Sequence, residues 1–138
     1  MLNQTARPLP EPAGSATILV AEDHLDSRDA LRALLEAFGY TVLLAANGRQ
    51  AVDVAVRARP DLILMDIMMP ELDGFEATRE LRGREETRTI PILAVTAMEG
   101  AHQLALQAGA NDCMRKPVDL RGLIERVGTL LEAQRNGA

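Results

Sequence analysis

The sequence predicts an α/β protein, a doubly wound five-stranded parallel sheet with a helix after each strand, and two observations carry that expectation. Short apolar runs recur along the chain, and the segments between them have helical spacing. A run that is apolar without alternation is the pattern of a strand covered on both faces, as in parallel sheets. Strands and helices in strict alternation then call for right-handed crossovers that place helices on both faces.

In chain order, the first run is Ile18-Leu19-Val20. Leu31, Leu34, Leu35 and Phe38 follow at i, i+3, i+4 and i+7, one stripe of a helix, and Gly39 stands where a helix C-terminal glycine belongs. After Val42-Leu43-Leu44, Asn47 and Gln50 have the spacing of a capping box, opening a helix with the stripe Ala51, Val54, Ala55 and Ala58. The third run is Leu62-Ile63-Leu64-Met65. Pro70 and Gly74 mark a loop after it and Gly83 to Pro91 a longer one, so Phe75 to Leu81, the least periodic segment, fits a short helix between them. Ile92-Leu93-Ala94-Val95 is the fourth run, followed by the stripe Ala101, Leu104, Ala105 and Ala108 and by Gly109. Cys113-Met114 is a weaker fifth run, and a last helix carries Leu120, Leu123, Ile124, Val127, Leu130 and Leu131.

A chain of 138 residues fits one domain with a core of its own. Residues 1–16, with Pro8, Pro10, Pro12, Gly14 and Ser15 and no apolar run, are expected to be a disordered tail rather than a signal or anchor; the folded domain is expected over 17–134, with 135–138 a short C-terminal tail. A net charge of -5 argues against nucleic acid as a direct ligand, and nothing calls for membrane insertion. The single cysteine, Cys113, requires no oxidising compartment, so a cytoplasmic location is the expectation.

Ligands of open parallel sheets bind beyond the carboxyl ends of the strands, where strand order reverses. The residues just after the runs are Glu22 and Asp23, Asp66, Thr96 and Lys116. Carboxylates gathered at one apolar rim repel one another and call for a cation. Oxygen-only ligands suit a hard ion, and Mg2+, which binds a few carboxylates plus a phosphate and keeps several waters, is the leading candidate. Lys116 adds a mobile positive charge and Thr96 a hydroxyl, so that an anion carried on Asp66 would be stabilised.

Four motifs at this spacing are similar to those of the response-regulator receiver domains of two-component systems: Ile18-Leu19-Val20-Ala21-Glu22-Asp23, Asp66-Ile67-Met68-Met69-Pro70 with Asp73-Gly74, Val95-Thr96-Ala97, and Gly109-Ala110-Asn111-Asp112 leading into Lys116-Pro117. The resemblance runs from about Thr17 to Leu131 and implies a (βα)5 fold with strand order 2-1-3-4-5. It also implies a phosphorylation-dependent switch, not an enzyme in the ordinary sense, that catalyses only its own phosphoryl transfer and dephosphorylation. Asp66 is then the phosphoacceptor. Glu22, Asp23, Asp66 and the Met68 carbonyl hold Mg2+, for which Mn2+ can substitute, with Glu22 reaching it through water. Thr96 and Lys116 contact the phosphoryl group, and a cis peptide at Lys116-Pro117 would aim the lysine inward. Thr96 and Cys113 occupy the switch positions. The implied partners are a histidine kinase or histidine phosphotransfer protein, with Leu25 and Arg28 as candidate contacts, and a downstream effector protein that supplies the output.

The chain departs from the family pattern at Cys113, where an aromatic residue is usual, and at Met68 and Met98, where polar side chains are common. Taken singly, Asp66 could be a loop acid, Thr96 a strand residue and Lys116 a solvated charge; their joint placement at strand ends argues against all three. His24 and His102 are expected at the surface, and Met65, Met68, Met69 and Met98 in packing. A haloacid-type phosphatase would carry a second Asp at the position of Met68, and dinucleotide binding would need a glycine-rich turn after the first strand. The main rival is a non-phosphorylated interaction module on the same fold.

Overall fold

The computed structural model of the protein describes residues 16–136. Strands and helices alternate as β1 (Thr17–Ala21), α1 (Leu25–Ala37), β2 (Thr41–Ala45), α2 (Gly48–Ala58), β3 (Leu62–Asp66), α3 (Gly74–Arg82), β4 (Ile92–Thr96), α4 (Ala101–Ala108), β5 (Asp112–Arg115) and α5 (Leu120–Arg135). The strands form one parallel sheet in the order β2-β1-β3-β4-β5. The chain winds outward from β1 to the edge strand β2, then crosses back to β3, so strand order reverses between β1 and β3. Ala21 pairs with Met65 and Asp66 with Val95, which brings the residues following β1 level with the end of β3.

Alternate strand residues serve opposite faces, as the two-residue period of a strand requires. Leu19, Ala21, Ile63, Met65 and Ala94 pack against Ala51, Val52, Ala55, Ala77, Leu81 and Ala105 of α2, α3 and α4. Ile18, Val20, Leu62, Leu64, Leu93 and Val95 pack against Leu35 of α1 and against Leu123, Ile124, Val127 and Leu131 of α5. Each Leu or Ile removed from water in this way stabilises the fold by about 1.5–3 kcal/mol, which explains why the central runs carry no polar residue. The fifth run is short and bounded by Asp112 and Arg115 because β5 lies at the sheet edge.

Each expected strand run ends within a residue of the observed strand, and the helix stripes need correction: Phe38, placed in the first stripe, is the cap that follows α1. In α2 the inward residues are Ala51, Val52 and Ala55, while Ala58 is exposed in the last turn before Arg59, which takes the left-handed conformation with φ 48°. Alanines 101, 105 and 108 face inward in α4, leaving Leu104 on its flank and 48% exposed. Leu120, the first residue of α5, is also exposed. At the α2 start the Asn47 side chain accepts from Gln50 N–H at 2.8 Å, and Gln50 Oε1 reaches back to Ala46 N–H at 2.8 Å.

Of the expected N-terminal tail only Ala16 falls among the described residues; it is buried, and its carbonyl accepts from Thr41 N–H at 3.0 Å. At the other end the expected C-terminal tail begins one residue too early, since Arg135 is the last residue of α5 and Asn136 its cap. Residues 1–15 and 137–138 lie outside the described residues. Among the described residues no helix is long and apolar enough to cross a membrane.

Candidate functional site

The carboxyl ends of β1 and β3 carry the acidic residues. Glu22, Asp23 and Asp66 each offer a carboxylate oxygen, and these oxygens lie within 4.8 Å of one another. Glu22 and Asp66 are buried, at 2% and 5% exposure, while Asp23 is exposed. From the far side of the sheet Lys116 reaches across: its Nζ donates to Glu22 Oε1 at 3.1 Å and to Asp66 Oδ2 at 3.2 Å. The Lys116–Pro117 peptide is cis. Lys116 N–H donates to the Thr96 carbonyl at 2.8 Å, fixing the β5–α5 loop to the end of β4.

Two close approaches shape the loop after Asp66. A Cβ on Gly74 would stand 2.4 Å from the Asp66 carbonyl oxygen, and one on Gly48 would stand 1.7 Å from the Leu72 carbonyl oxygen, so both positions need the bare backbone of glycine. Gly74 N–H closes the loop on the Ile67 carbonyl at 2.9 Å, and the Asp73 side chain caps α3 by accepting from Glu76 N–H at 2.9 Å. Within this loop Met68 N–H donates to Asp66 Oδ1 at 3.2 Å, so a hydrogen bond meets each Asp66 oxygen.

Burial pushes the Asp66 carboxyl up, and the neighbouring Glu22 carboxylate pushes it further, to about 6, against the opposing pull of Lys116 and Met68 N–H. Glu22 shifts the other way. Burial resists ionisation there too, but the hydrogen bond from His24 N–H and the contacts with Asp66 and Lys116 outweigh it and hold the carboxyl below its usual range. Burial works against the Lys116 ammonium, and its two carboxylate partners more than compensate. Near neutral pH the site therefore presents an ionised Asp66 with a cation already in contact.

The remaining expected residues sit around this centre. Thr96 is fully buried, and its Oγ1 accepts from Met98 N–H at 2.9 Å, so its present partner is the β4–α4 loop. Cys113 lies two residues back along β5 from the partner of Thr96, opposite Ala94 in the sheet and buried in the core shared with α2, α3 and α4. Met65 and Met69 pack in the core as expected; Met68 and Met98 do not, being 57% and 36% exposed. Both line, with Asp23, Asp73 and Phe75, an open cavity of about 400 Å³. A thioether at a rim position is not distinguishable by residue type from one in a core, which is why the sequence misassigned them. His24 and His102 are exposed. Leu25 is exposed too, whereas Arg28 is half-buried with Nη1 donating to the Glu22 carbonyl at 3.3 Å. Sequence spacing gave no sign of that contact or of the Glu22–Lys116 bond. Three carboxylates with no His or Cys among them form a donor set that fits a hard divalent cation.

A family profile for the response regulator receiver domain matches residues 18–128. The polar-differentiation response regulator DivK of Brucella anthropi is 38% identical over 117 residues, covering 83% of this chain and 95% of that protein. Response regulator MprA of Mycolicibacterium vanbaalenii is 41% identical over 116 residues, and there the chain spans about half the relative's length, 49%. Among solved structures, the receiver domain of a sensor histidine kinase from Pseudomonas aeruginosa, with a magnesium ion coordinated in its active-site cleft, is 40% identical with a TM-score of 0.81, covering 86% of this chain and 99% of that one. A chemotaxis response regulator of Vibrio cholerae is 30% identical with a TM-score of 0.79, covering 84% and 98%. With the parallel 2-1-3-4-5 sheet and the acidic cluster at its switch point, these matches show that the chain belongs to the response regulator receiver domain family.

Proposed function

We propose that this receiver domain works as a phosphorylation-dependent signalling switch in which Asp66 accepts a phosphoryl group from a histidine kinase or histidine phosphotransfer protein. The observation that carries the reading is the contact of Lys116 Nζ with Asp66 Oδ2 at 3.2 Å inside a cluster of three carboxylates. In the transfer, an Asp66 carboxylate oxygen attacks phosphorus in line as the nitrogen–phosphorus bond of the donor histidine breaks, and the imidazole leaves with the bonding electron pair. Lys116 stays beside the transferring oxygens and offsets their charge. Mg2+, with Mn2+ as a substitute, would be held by Asp23, Asp66, the Met68 main-chain carbonyl and, through water, Glu22. When bound it neutralises charge on the phosphoryl oxygens.

On the acylphosphate the Thr96 hydroxyl exchanges its bond from Met98 N–H for a bond to a phosphoryl oxygen, and the β4–α4 loop moves with it. The small Cys113 side chain lets that loop move without a large side chain having to change place, and the altered surface recruits a downstream effector protein. The same pocket returns the phosphoryl group to water in time. A cytoplasmic setting and no direct nucleic-acid contact go with this reading and with the net charge of -5. Acetyl phosphate with Mg2+ tests it without a kinase. Wild type should gain one phosphoryl group and Asp66→Asn none; equal uptake by the two would remove Asp66 as the acceptor, and no uptake by the wild type would favour a docking module that is never phosphorylated.

A further inference from the structure

The methionines among the described residues differ sharply in access. Met65 and Met69 are buried and Met114 is half-buried, whereas Met68 and Met98 are 57% and 36% exposed. Both exposed residues line the open cavity of about 400 Å³ beside Asp23. Their main chains are fastened to the acceptor carboxylate and to the nearby hydroxyl: Met68 N–H donates to Asp66 Oδ1 at 3.2 Å, and Met98 N–H donates to Thr96 Oγ1 at 2.9 Å. A thioether in contact with water is open to two-electron oxidation, which turns a flexible apolar side chain into a polar sulfoxide. The single thiol is better protected. Cys113 is buried, and that burial pushes its thiol up, away from the thiolate that oxidants attack.

We propose that Met68 and Met98 form a redox-modification site at the mouth of the pocket, oxidised by hydrogen peroxide to their sulfoxides, and that this modification shortens the lifetime of a phosphoryl group on Asp66. In each oxidation the sulfur lone pair attacks one peroxide oxygen, and a sulfur–oxygen bond forms as the oxygen–oxygen bond breaks. The departing hydroxide takes the proton of the transferred oxygen and leaves as water, so sulfur gives up the two electrons that the peroxide gains. A sulfoxide oxygen accepts strong hydrogen bonds where the thioether accepts only weak ones. The cavity wall thereby gains an acceptor able to hold a water beside an acylphosphate. The effect on lifetime rests on the reading of Asp66 as the phosphoacceptor; the site of oxidation does not.

Peptide mapping by mass spectrometry after brief treatment with hydrogen peroxide reads the site. Met68 and Met98 should convert several-fold faster than Met65, Met69 and Cys113; conversion of any of these three at an equal or greater rate overturns it. For the consequence, treated and untreated proteins are freed of peroxide, loaded from acetyl phosphate with Mg2+, freed of donor and followed through dephosphorylation. Treatment should shorten the half-life by about tenfold if one orienting contact is gained in the transition state, and methionine sulfoxide reductases for both epimers, applied before loading, should restore it. In Met68→Leu/Met98→Leu the half-lives with and without peroxide should agree, the untreated variant serving as its own reference. An unchanged or longer half-life in oxidised wild type, a loss that the reductases do not reverse, or an equal loss in the double variant overturns the coupling. Should the double variant fail to fold, reversal by the reductases carries the comparison. If untreated wild type takes up no phosphoryl group, the reading of Asp66 fails instead, and the peptide map still decides where peroxide acts.

Discussion

Lys116 Nζ lies 3.2 Å from Asp66 Oδ2 although 50 residues separate them in sequence, and even this contact does not cancel the cost of burying Asp66. Burial first and Glu22 second raise the Asp66 carboxyl from 3.8 to about 6. Between those values the native state holds a proton that the unfolded chain has lost, so the contribution of Asp66 to stability is greatest at low pH and is lost as pH rises through about 6. Asn at this position imitates the protonated group. Metal-free Asp66→Asn should therefore be more stable than wild type at pH 7, by a margin that shrinks toward pH 4. Urea melts of the pair across this range check it, and a margin that grows on acidification contradicts it.

Mg2+ should relieve the same repulsion. Thermal melts at neutral pH should show wild type rising in melting temperature with millimolar Mg2+, because a ligand that binds only the native state stabilises it. Asp23→Asn should respond far less. An equal response from both proteins would place the bound ion away from Asp23.

The elements at the centre of the sheet were the most legible in the sequence. β1, β3 and β4 are covered on both faces, so every residue of Ile18–Val20, Leu62–Met65 and Ile92–Val95 is apolar and the runs announce themselves. Helix faces were harder to read, because α4 presents small alanines inward and leaves Leu104 outside, against the expectation that the larger apolar residue is the buried one. At the site, the strand-end rule singled out Glu22, Asp23, Asp66, Thr96 and Lys116 before any contact was known. Partners were not legible. Whether Glu22 meets an ion or Lys116, and whether Thr96 meets Asp66 or Met98 N–H, depends on side-chain geometry that spacing does not encode.

Met68 and Met98 border the same opening as Asp23, and a thioether neither donates a proton nor accepts a strong hydrogen bond. Water attacking an acylphosphate on Asp66 would find no orienting side chain at either position. Met68→Asn and Met98→Glu should accelerate dephosphorylation at saturating Mg2+, by roughly tenfold if one contact of about 1.4 kcal/mol is gained in the transition state. Decay in both variants as slow as in wild type would show that the methionines do not set the lifetime.

Arg82 ties the far end of the domain together. Its Nε donates to the Gly109 carbonyl at 2.8 Å, Nη1 to the carbonyls of Ile90 at 2.8 Å and Arg88 at 3.1 Å, and Nη2 to Asn111 Oδ1 at 2.8 Å. Asn111 Oδ1 also accepts from Ile92 N–H at 2.8 Å, so the fork of one guanidinium joins α3, the loop before β4 and the loop before β5. Arg82→Ala should cost about 3 kcal/mol, since charged hydrogen bonds to partly buried acceptors are lost together. Arg82→Lys should recover little of that, because an ammonium cannot reproduce the fork. Chemical denaturation measures both, and a loss under about 0.5 kcal/mol, typical of a surface change, would contradict the role.

Asp66, and no other carboxylate of the cluster, should carry the phosphoryl group. An acylphosphate is reduced by borohydride to an alcohol, which turns a phosphorylated aspartate into homoserine. Protein treated with acetyl phosphate and Mg2+, reduced, digested and sequenced by mass spectrometry should show homoserine at position 66 and unmodified Glu22 and Asp23. Homoserine at position 23, the reduction product of an acylphosphate on Glu22, or no reduction product at all would contradict it.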